Sequence, residues 1–349
     1  MKGWVIAVED RPDGGKLAAL LVDGRVEDLL VDPPDDDRAP RPEALVWGRV
    51  DRVVPAMGAA FLSLPDGQTG WLRVEDAAPG RMMLAQVARW AEPHKAAPLT
   101  ERPVLKGRLA MLTPGAPGVN VSRGLKGHAL RERLAAAGAA GMAGAAEDCG
   151  LVIRTAAEDA DDDQILQEIS RLRAEWAAAT AAAAGNAPKL LRPAPDAAAR
   201  AFRDWPAPDA ADIGEDAFER LGVWDAIEAL RSPRVDLPGG AWMTVEATSA
   251  LVAVDVNTGD DFSKGAAVNA NQAACAELAR QLRLRGLGGV IYIDLAPLKK
   301  GARQGVEAAL KRAFTGDPVE THVAGWTPMG AVEINRRRER RPLWEVLRA

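Results

Sequence analysis

A chain of 349 residues, 48% of them apolar, is long enough for two or three units, each with a sizeable core. Its formal net charge of −5 argues against holding a nucleic acid by bulk charge, so such binding must come from local basic patches. Two distant cysteines, Cys149 and Cys275, exclude a disulfide scaffold and a zinc knuckle, and no apolar run suits a signal peptide or a membrane span; a soluble, cytoplasmic protein with no membrane partner is expected.

Residues 3–31 predict strand, turn, strand: GWVIAVED and LAALLVDG are apolar runs, with turns at Asp13-Gly14-Gly15 and Asp23-Gly24. The stretch 31–43, VDPPDDDRAPRPE, is too rich in Pro and Asp to pack and marks a boundary. From Ala44, short strands alternate with Gly turns (LVWGRVDRVV, AAFLSL, GQTGWLRV, LAQVARWA), the spacing of a small antiparallel barrel. Apolar strands in KGRLAMLTPGAPGVNVSRGL and GLVIRTAAEDA then flank an Ala/Gly-rich helical stretch. Over 163–184, Ile165, Ile169, Leu172 and Trp176 recur at helical spacing. Residues 185–198 carry three prolines and read as a linker, and 199–235 hold irregular helical and strand fragments.

From Gly239 the pattern is clean. WMTVEATSALVAVDV predicts two strands, NANQAACAELARQLRLRGLGG a helix with a Gly stop, VIYIDLAPL a buried strand and GARQGVEAALKRAF a helix, before AVEINRRRERRPLWEVLRA closes the sequence. Strand–helix–strand implies an α/β layer. Asp255 and Asp294 each sit at the polar end of an apolar strand, where a buried charge needs compensation. Neighbouring strands would place both carboxylates on one sheet edge, and a hard divalent cation would relieve their repulsion. The alternative is that each merely caps a turn.

The run around this pair, DVNTG followed by NANQAACAELARQLRLRGLGGVIYIDL, resembles the catalytic core of the ribonuclease E/G family, and GRVDRVVPAMGAAFLSLPDGQTGWLRVED resembles that family's S1 domain. The resemblance implies an α/β and β multidomain fold, with an S1-type oligonucleotide-binding barrel inserted near the N-terminus of an RNase H-like/DNase I-like catalytic region. It divides the chain into an N-terminal hairpin of the RNase H-like part (1–42), the barrel (43–104), a 5′-sensor-like part (105–187), the rest of the RNase H-like part (188–238) and a DNase I-like catalytic part (239–349). It implies a magnesium-dependent endoribonuclease for single-stranded RNA that leaves 5′-phosphate and 3′-hydroxyl ends, in RNA processing or decay. Asp255 and Asp294 would be the metal ligands, and Asn257 would orient the phosphate or the water; manganese could replace magnesium.

The same resemblance assigns Phe61, Trp71 and Lys95 to RNA binding, although lone barrel aromatics are more often core. Gly107, Met111, Arg154 and Thr155 correspond to a pocket for a 5′-monophosphate end, unless Arg154 instead pairs with an acid such as Glu158. Arg280 and Arg283, and the run Arg336, Arg337 and Arg338, are candidate contacts to the RNA backbone; a solvated basic face is the alternative. The likeness ends at EINRRR. The family's larger members continue with a CPxC zinc-link and a small dimerisation domain, so neither zinc nor a zinc-linked tetramer is expected, and any dimer would use another surface. After the second carboxylate, Leu295-Ala296-Pro297-Leu298 lacks the family's usual further Asp, and 156–235 is shorter and richer in Ala. Two rivals remain: a noncatalytic RNA-binding protein of the same fold, and an α/β protein whose barrel binds another polyanion.

Overall fold

Gly14 and Gly15, at φ +89° and +78°, and Asp23-Gly24, at +50° and +80°, turn the chain where the sequence places its turns. The computed structural model describes residues 2–92 and 94–347. Between those turns, β1 (Trp4–Asp10), β2 (Lys16–Val22) and β3 (Arg25–Val31) form an antiparallel meander. The chain then builds one compact unit from residues 35–207 and returns to complete the other, which joins 1–34 to 208–349.

In the inserted unit, β4 (Leu45–Val54), β5 (Ala59–Ser63), β6 (Thr69–Arg73), β7 (Met82–Val87) and β8 (Ala97–Thr100) pair in the order β4-β5-β6-β8-β7. Pairing of β7 with β4 closes a five-stranded barrel of oligonucleotide-binding type. Alternate residues point inward, and Val46, Val50, Ala60, Leu62, Leu72 and Leu99 fill the interior. Gly70 is required for that filling, since a Cβ there would sit 2.4 Å from Leu99 Cδ1.

A second sheet follows, made of β9 (Leu105–Lys106), β10 (Ala110–Pro114), β11 (Gly118–Val121) and β12 (Cys149–Ile153), in the order β11-β12-β10-β9. Helices α1 (His128–Gly141) and α2 (Asp162–Ala182) share a core with it through Leu134, Ile165, Ile169 and Leu172. Asp161 and Gln164 form a capping box at the start of α2. The expected linker at 185–198 is instead partly a strand: β13 (Lys189–Arg192) pairs with β4, leading to α3 (Ala197–Asp204).

In the other unit, β14 (Ala210–Ile213) runs parallel to β1, giving a sheet ordered β14-β1-β2-β3. The short helices α4 (Ala217–Arg220) and α5 (Val223–Ala229) pack on it through Phe218, Val223 and Ile227. A six-stranded layer comprises β15 (Arg234–Asp236), β16 (Trp242–Ala247), β17 (Val252–Asn257), β18 (Gly289–Asp294), β19 (Thr321–Trp326) and β20 (Val332–Arg336), ordered β15-β16-β17-β18-β20-β19. Helix α6 (Ala266–Leu284) makes the crossover between the parallel strands β17 and β18, and α7 (Arg303–Ala313) precedes β19. Both helices contribute to one core with Met243, Val254, Val256, Ile291, Ile293 and Ile334. The chain closes with α8 (Leu343–Val346). No helix among the described residues is long and apolar enough to cross a membrane.

Ion pairs fasten this unit internally. The fully buried Asp317 carboxylate accepts Arg283 Nη1 at 2.7 Å and Arg336 Nη2 at 2.9 Å. Arg340 forms a two-pronged pair with the buried Asp28 and also donates to the Leu29 carbonyl at 3.0 Å. Removing Asp317 leaves the buried Arg336 guanidinium without a carboxylate, while Arg283 keeps Glu27 at 3.6 Å. Asp317→Ala should therefore lower unfolding stability by about 3–5 kcal/mol. In the same urea titration, Glu320→Ala, which breaks an exposed pair with Arg337, should change little.

Candidate functional site

The parallel pairing of β17 and β18 sets Asp255 directly opposite Asp294. Val254, Val256, Ile291 and Ile293 turn toward the helices, so the pleat sends both carboxylates to the opposite face. Strands in a sheet lie about 4.8 Å apart, which brings two like charges together. Both aspartates are exposed, which corrects the expectation that they are buried: their phase along each strand is outward. Among the described residues neither carboxylate is paired with a Lys or Arg. Asn257, one pleat further on the same face, donates from Nδ2 to Asp255 Oδ2 at 2.7 Å and fixes that carboxylate.

Two facing carboxylates fit a hard divalent cation, which favours oxygen donors. No group of three or more His, Cys, Asp or Glu poised for a metal occurs among the described residues.

The arginines expected to reach RNA near this pair divide sharply. Arg280 donates to the Val26 carbonyl at 2.7 Å and pairs with Glu277, while Arg283 is held by Asp317. Arg336 is 1% exposed. It alternates with Val332 and Ile334 along β20, so its side chain enters the core and its guanidinium meets Asp317 and Thr321. Arg336 thus serves the interior, which corrects its reading as a surface contact, while Arg280 and Arg283 are half-buried and already engaged. Arg337 is exposed beside Glu320 and Glu339, and Arg338 is exposed as well.

On the barrel, Phe61 and Trp71 are cross-strand partners on β5 and β6, half-buried on the outer surface. Their inward neighbours Ala60, Leu62 and Leu72 make the core. Arg52 stacks 4.7 Å from the Phe61 ring centre, and Arg73 lies 6.0 Å from that of Trp71. Lys95 is exposed in a loop and pairs with Glu92 at 2.7 Å.

Around β9 and β10 the groups are more tightly held. Gly107 is buried, and the space for its missing side chain is filled by Glu168: a Cβ would lie 2.3 Å from Glu168 Oε1. That carboxylate accepts backbone N–H groups of Arg108, Leu109 and Ala110 at 3.0, 2.6 and 2.8 Å. Arg154 donates to the Gly107 carbonyl and pairs at 3.1 Å with Asp204, the acid that stands where the sequence suggested Glu158. Thr155 is exposed, its hydroxyl 3.2 Å from that of Ser122, and Met111 is half-buried beside Lys106 and Val152.

Sequence reasoning missed Glu168, Asp204, Arg203 and Glu43, which lie far along the chain from Arg154 and Gly107. Only the 203–204 Arg-Asp pair at the end of an amphipathic α3 hinted at them. Arg203 grips Glu43 at 2.6 and 2.9 Å and Asp204 at 2.6 Å, and Lys106 joins Glu43 at 3.2 Å. Burial alone would raise the Glu43 and Asp204 pKa values. The Arg203 hydrogen bonds and charge, with Lys106 and Arg154, outweigh it and hold both below the ordinary range.

A closed barrel of oligonucleotide-binding type and an α/β layer presenting two register-paired carboxylates define a class of barrel-bearing α/β proteins with an acidic sheet edge. The chain belongs to the ribonuclease E/G family, whose sequence model matches residues 104–216 and 210–339. It is 28% identical over 393 residues to the ribonuclease E of Nostoc sp. (strain PCC 7120), an alignment covering 95% of this chain and 56% of that protein. To the ribonuclease G of Escherichia coli (strain K12) it is 27% identical over 369 residues, covering 86% of this chain and 73% of that one. The chain thus spans little more than half the length of the ribonuclease E relatives of Nostoc and Synechocystis.

The depressed carboxyls fix a sign for acid stability. Groups whose folded pKa lies below the unfolded one stabilise fully above the ordinary carboxyl value of about 4, and that contribution is lost as pH falls through the folded values. The thermal unfolding midpoint should therefore fall on acidification below about pH 4. Glu43→Gln with Asp204→Asn should lower the midpoint at pH 7 and flatten its fall in acid.

Proposed function

We propose that this chain is the catalytic part of a divalent-metal-dependent endoribonuclease that hydrolyses single-stranded RNA to 5′-phosphate and 3′-hydroxyl ends, in cytoplasmic RNA processing or decay. The observation that carries the reading is the facing of Asp255 and Asp294 within the stretch matched by the ribonuclease E/G model. In this assignment β14-β1-β2-β3 is the RNase H-like part, the six-stranded layer is the DNase I-like catalytic part, and 105–187 is the end-sensing part.

Asp255 and Asp294 would hold magnesium, or manganese in its place. The bound ion supplies a Lewis acid for the scissile phosphate and an acidified water. The protein's own share is positional: Asn257 locks one Asp255 oxygen and so sets the direction of the other. Phe61 and Trp71 offer adjacent faces for two bases, while Arg52 and Arg73 bring cations to the same surface. Lys95 adds an exposed charge to the barrel. Arg154 and Thr155 would receive a 5′-monophosphate, with Asp204 and the Gly107 carbonyl holding the guanidinium until phosphate competes for it.

The test is cleavage of a short A/U-rich, 5′-monophosphorylated fluorogenic RNA, with magnesium and with EDTA. Asp255→Ala and Asp294→Asn should each slow cutting at least about a hundredfold while RNA affinity stays within about threefold. Equal loss of binding and cutting would contradict the metal-ligand assignment, and RNA bound but never cut would favour a noncatalytic RNA-binding protein.

Phe61→Ala and Trp71→Ala have a separate expectation. Each should weaken RNA affinity about tenfold, the worth of one stacked base, with little change in kcat at saturating RNA. An unchanged affinity would return both rings to a purely structural role.

A further inference from the structure

The strand bearing Asp255 and Asn257 runs directly into a loop, residues 258–265, that throws an aromatic ring into solvent. Phe262 is 90% exposed, more than any other large apolar side chain among the described residues. Its loop is fastened at both ends. Gly259, at φ +62°, lies so close to the Gly240 carbonyl that a Cβ would fall 2.2 Å from the oxygen. Ser263 N donates to Asp261 Oδ1 at 2.8 Å, and Ala266 N to the Ser263 carbonyl at 3.1 Å. The ring is thus presented by a built turn.

Its surroundings identify what would cover it. Lys264 follows in the same loop, and Lys299 and Lys300 stand at the end of the loop that follows Asp294 on β18, where a single 3-10 turn (Lys300–Ala302) begins. All three are exposed, and among the described residues none has an ion-pair partner. Because β17 and β18 are parallel, both loops leave the same edge of the sheet, the edge that carries the carboxylates. An open aromatic face beside free ammonium groups is the chemistry that holds single-stranded nucleic acid: a base on the ring, phosphates on the lysines.

We infer that Phe262 is a base-stacking residue that positions the nucleotide next to the scissile phosphate, separate from the Phe61–Trp71 pair on the barrel. The inference rests on the nuclease reading of Asp255 and Asp294.

The experiment uses the full chain and an RNA with one defined cut, in which each nucleotide flanking that cut is replaced in turn by an abasic residue. Phe262→Ala should lower kcat/KM on intact RNA about tenfold, and Phe262→Trp should restore it. One abasic position should slow the wild-type protein by a similar factor, yet add nothing to the Phe262→Ala defect. Cutting by Phe262→Ala at the wild-type rate, or a full abasic penalty in that variant, would overturn the inference; a ring that docks a protein partner would give that result.

A second readout needs no catalysis. RNA carrying 2-aminopurine at the sensitive position, or at each flanking position if cutting has not revealed one, is bound by Asp294→Asn protein. Quenching there should be lost when Phe262→Ala is added, and quenching indifferent to Phe262 would overturn the stack. If the wild-type protein cuts nothing but the Phe262-dependent quenching remains, the nuclease reading fails and the stacking assignment stands.

Discussion

Two parallel strands cannot be joined by a hairpin, and from that constraint much of the six-stranded layer follows. Placing Asp255 across from Asp294 requires a crossover, which α6 provides along the apolar side of the sheet. A crossover helix must then be fastened on both sides. One side packs through Ala270, Ala274, Leu278 and Leu282, and its last turns are tied down by arginines. Arg280 reaches the Val26 carbonyl, Arg283 reaches Asp317, and Arg285 spans the Leu230 and Ser232 carbonyls at 2.9 Å each. The RQLRLRG string is thus distinctive for an architectural reason: each guanidinium satisfies backbone or carboxylate groups that a lysine could not bridge with the same fork.

The clean parts of the sequence pattern were those whose periodicity matched burial. The first hairpin, the helix from Asp162 and the strands around Asp255 and Asp294 read directly, because alternation or helical spacing reported which face is covered. Reading failed where a partner lies far along the chain. Strand β13 sits between prolines and exists because β4 has a free edge to pair with; β14 is four residues long and is held by β1. Strands β8 and β19 were likewise hidden in stretches with little apolar alternation of their own.

The charged residues teach a sharper lesson. The facing of Asp255 and Asp294 on one sheet edge was legible but their exposure was not, although Val254-Asp255-Val256 and Ile293-Asp294 already place the acids in the outward phase. The run at 336–341 looks like a uniform basic surface, yet the alternation Val332, Ile334, Arg336 marks the first of its arginines as inward. Burial of that guanidinium depends on Asp317, which no local pattern connects to it. By contrast, the outward phase of Phe61 and Trp71 could be read from their small and aliphatic neighbours.

The order in which the chain emerges during synthesis gives β14 a further consequence. The β1–β3 meander is made before residues 35–207, but the free edge of β1 is covered only when Ala210–Ile213 follows, some two hundred residues later. Residues 35–207, a compact unit of their own, are complete before that moment. A nascent chain therefore carries an unpaired strand edge while its inserted unit folds, and that edge is exposed to pairing with other chains. Translation speed across 35–207 sets how long the exposure lasts, so slow synthesis there carries an aggregation risk that the finished protein does not reveal.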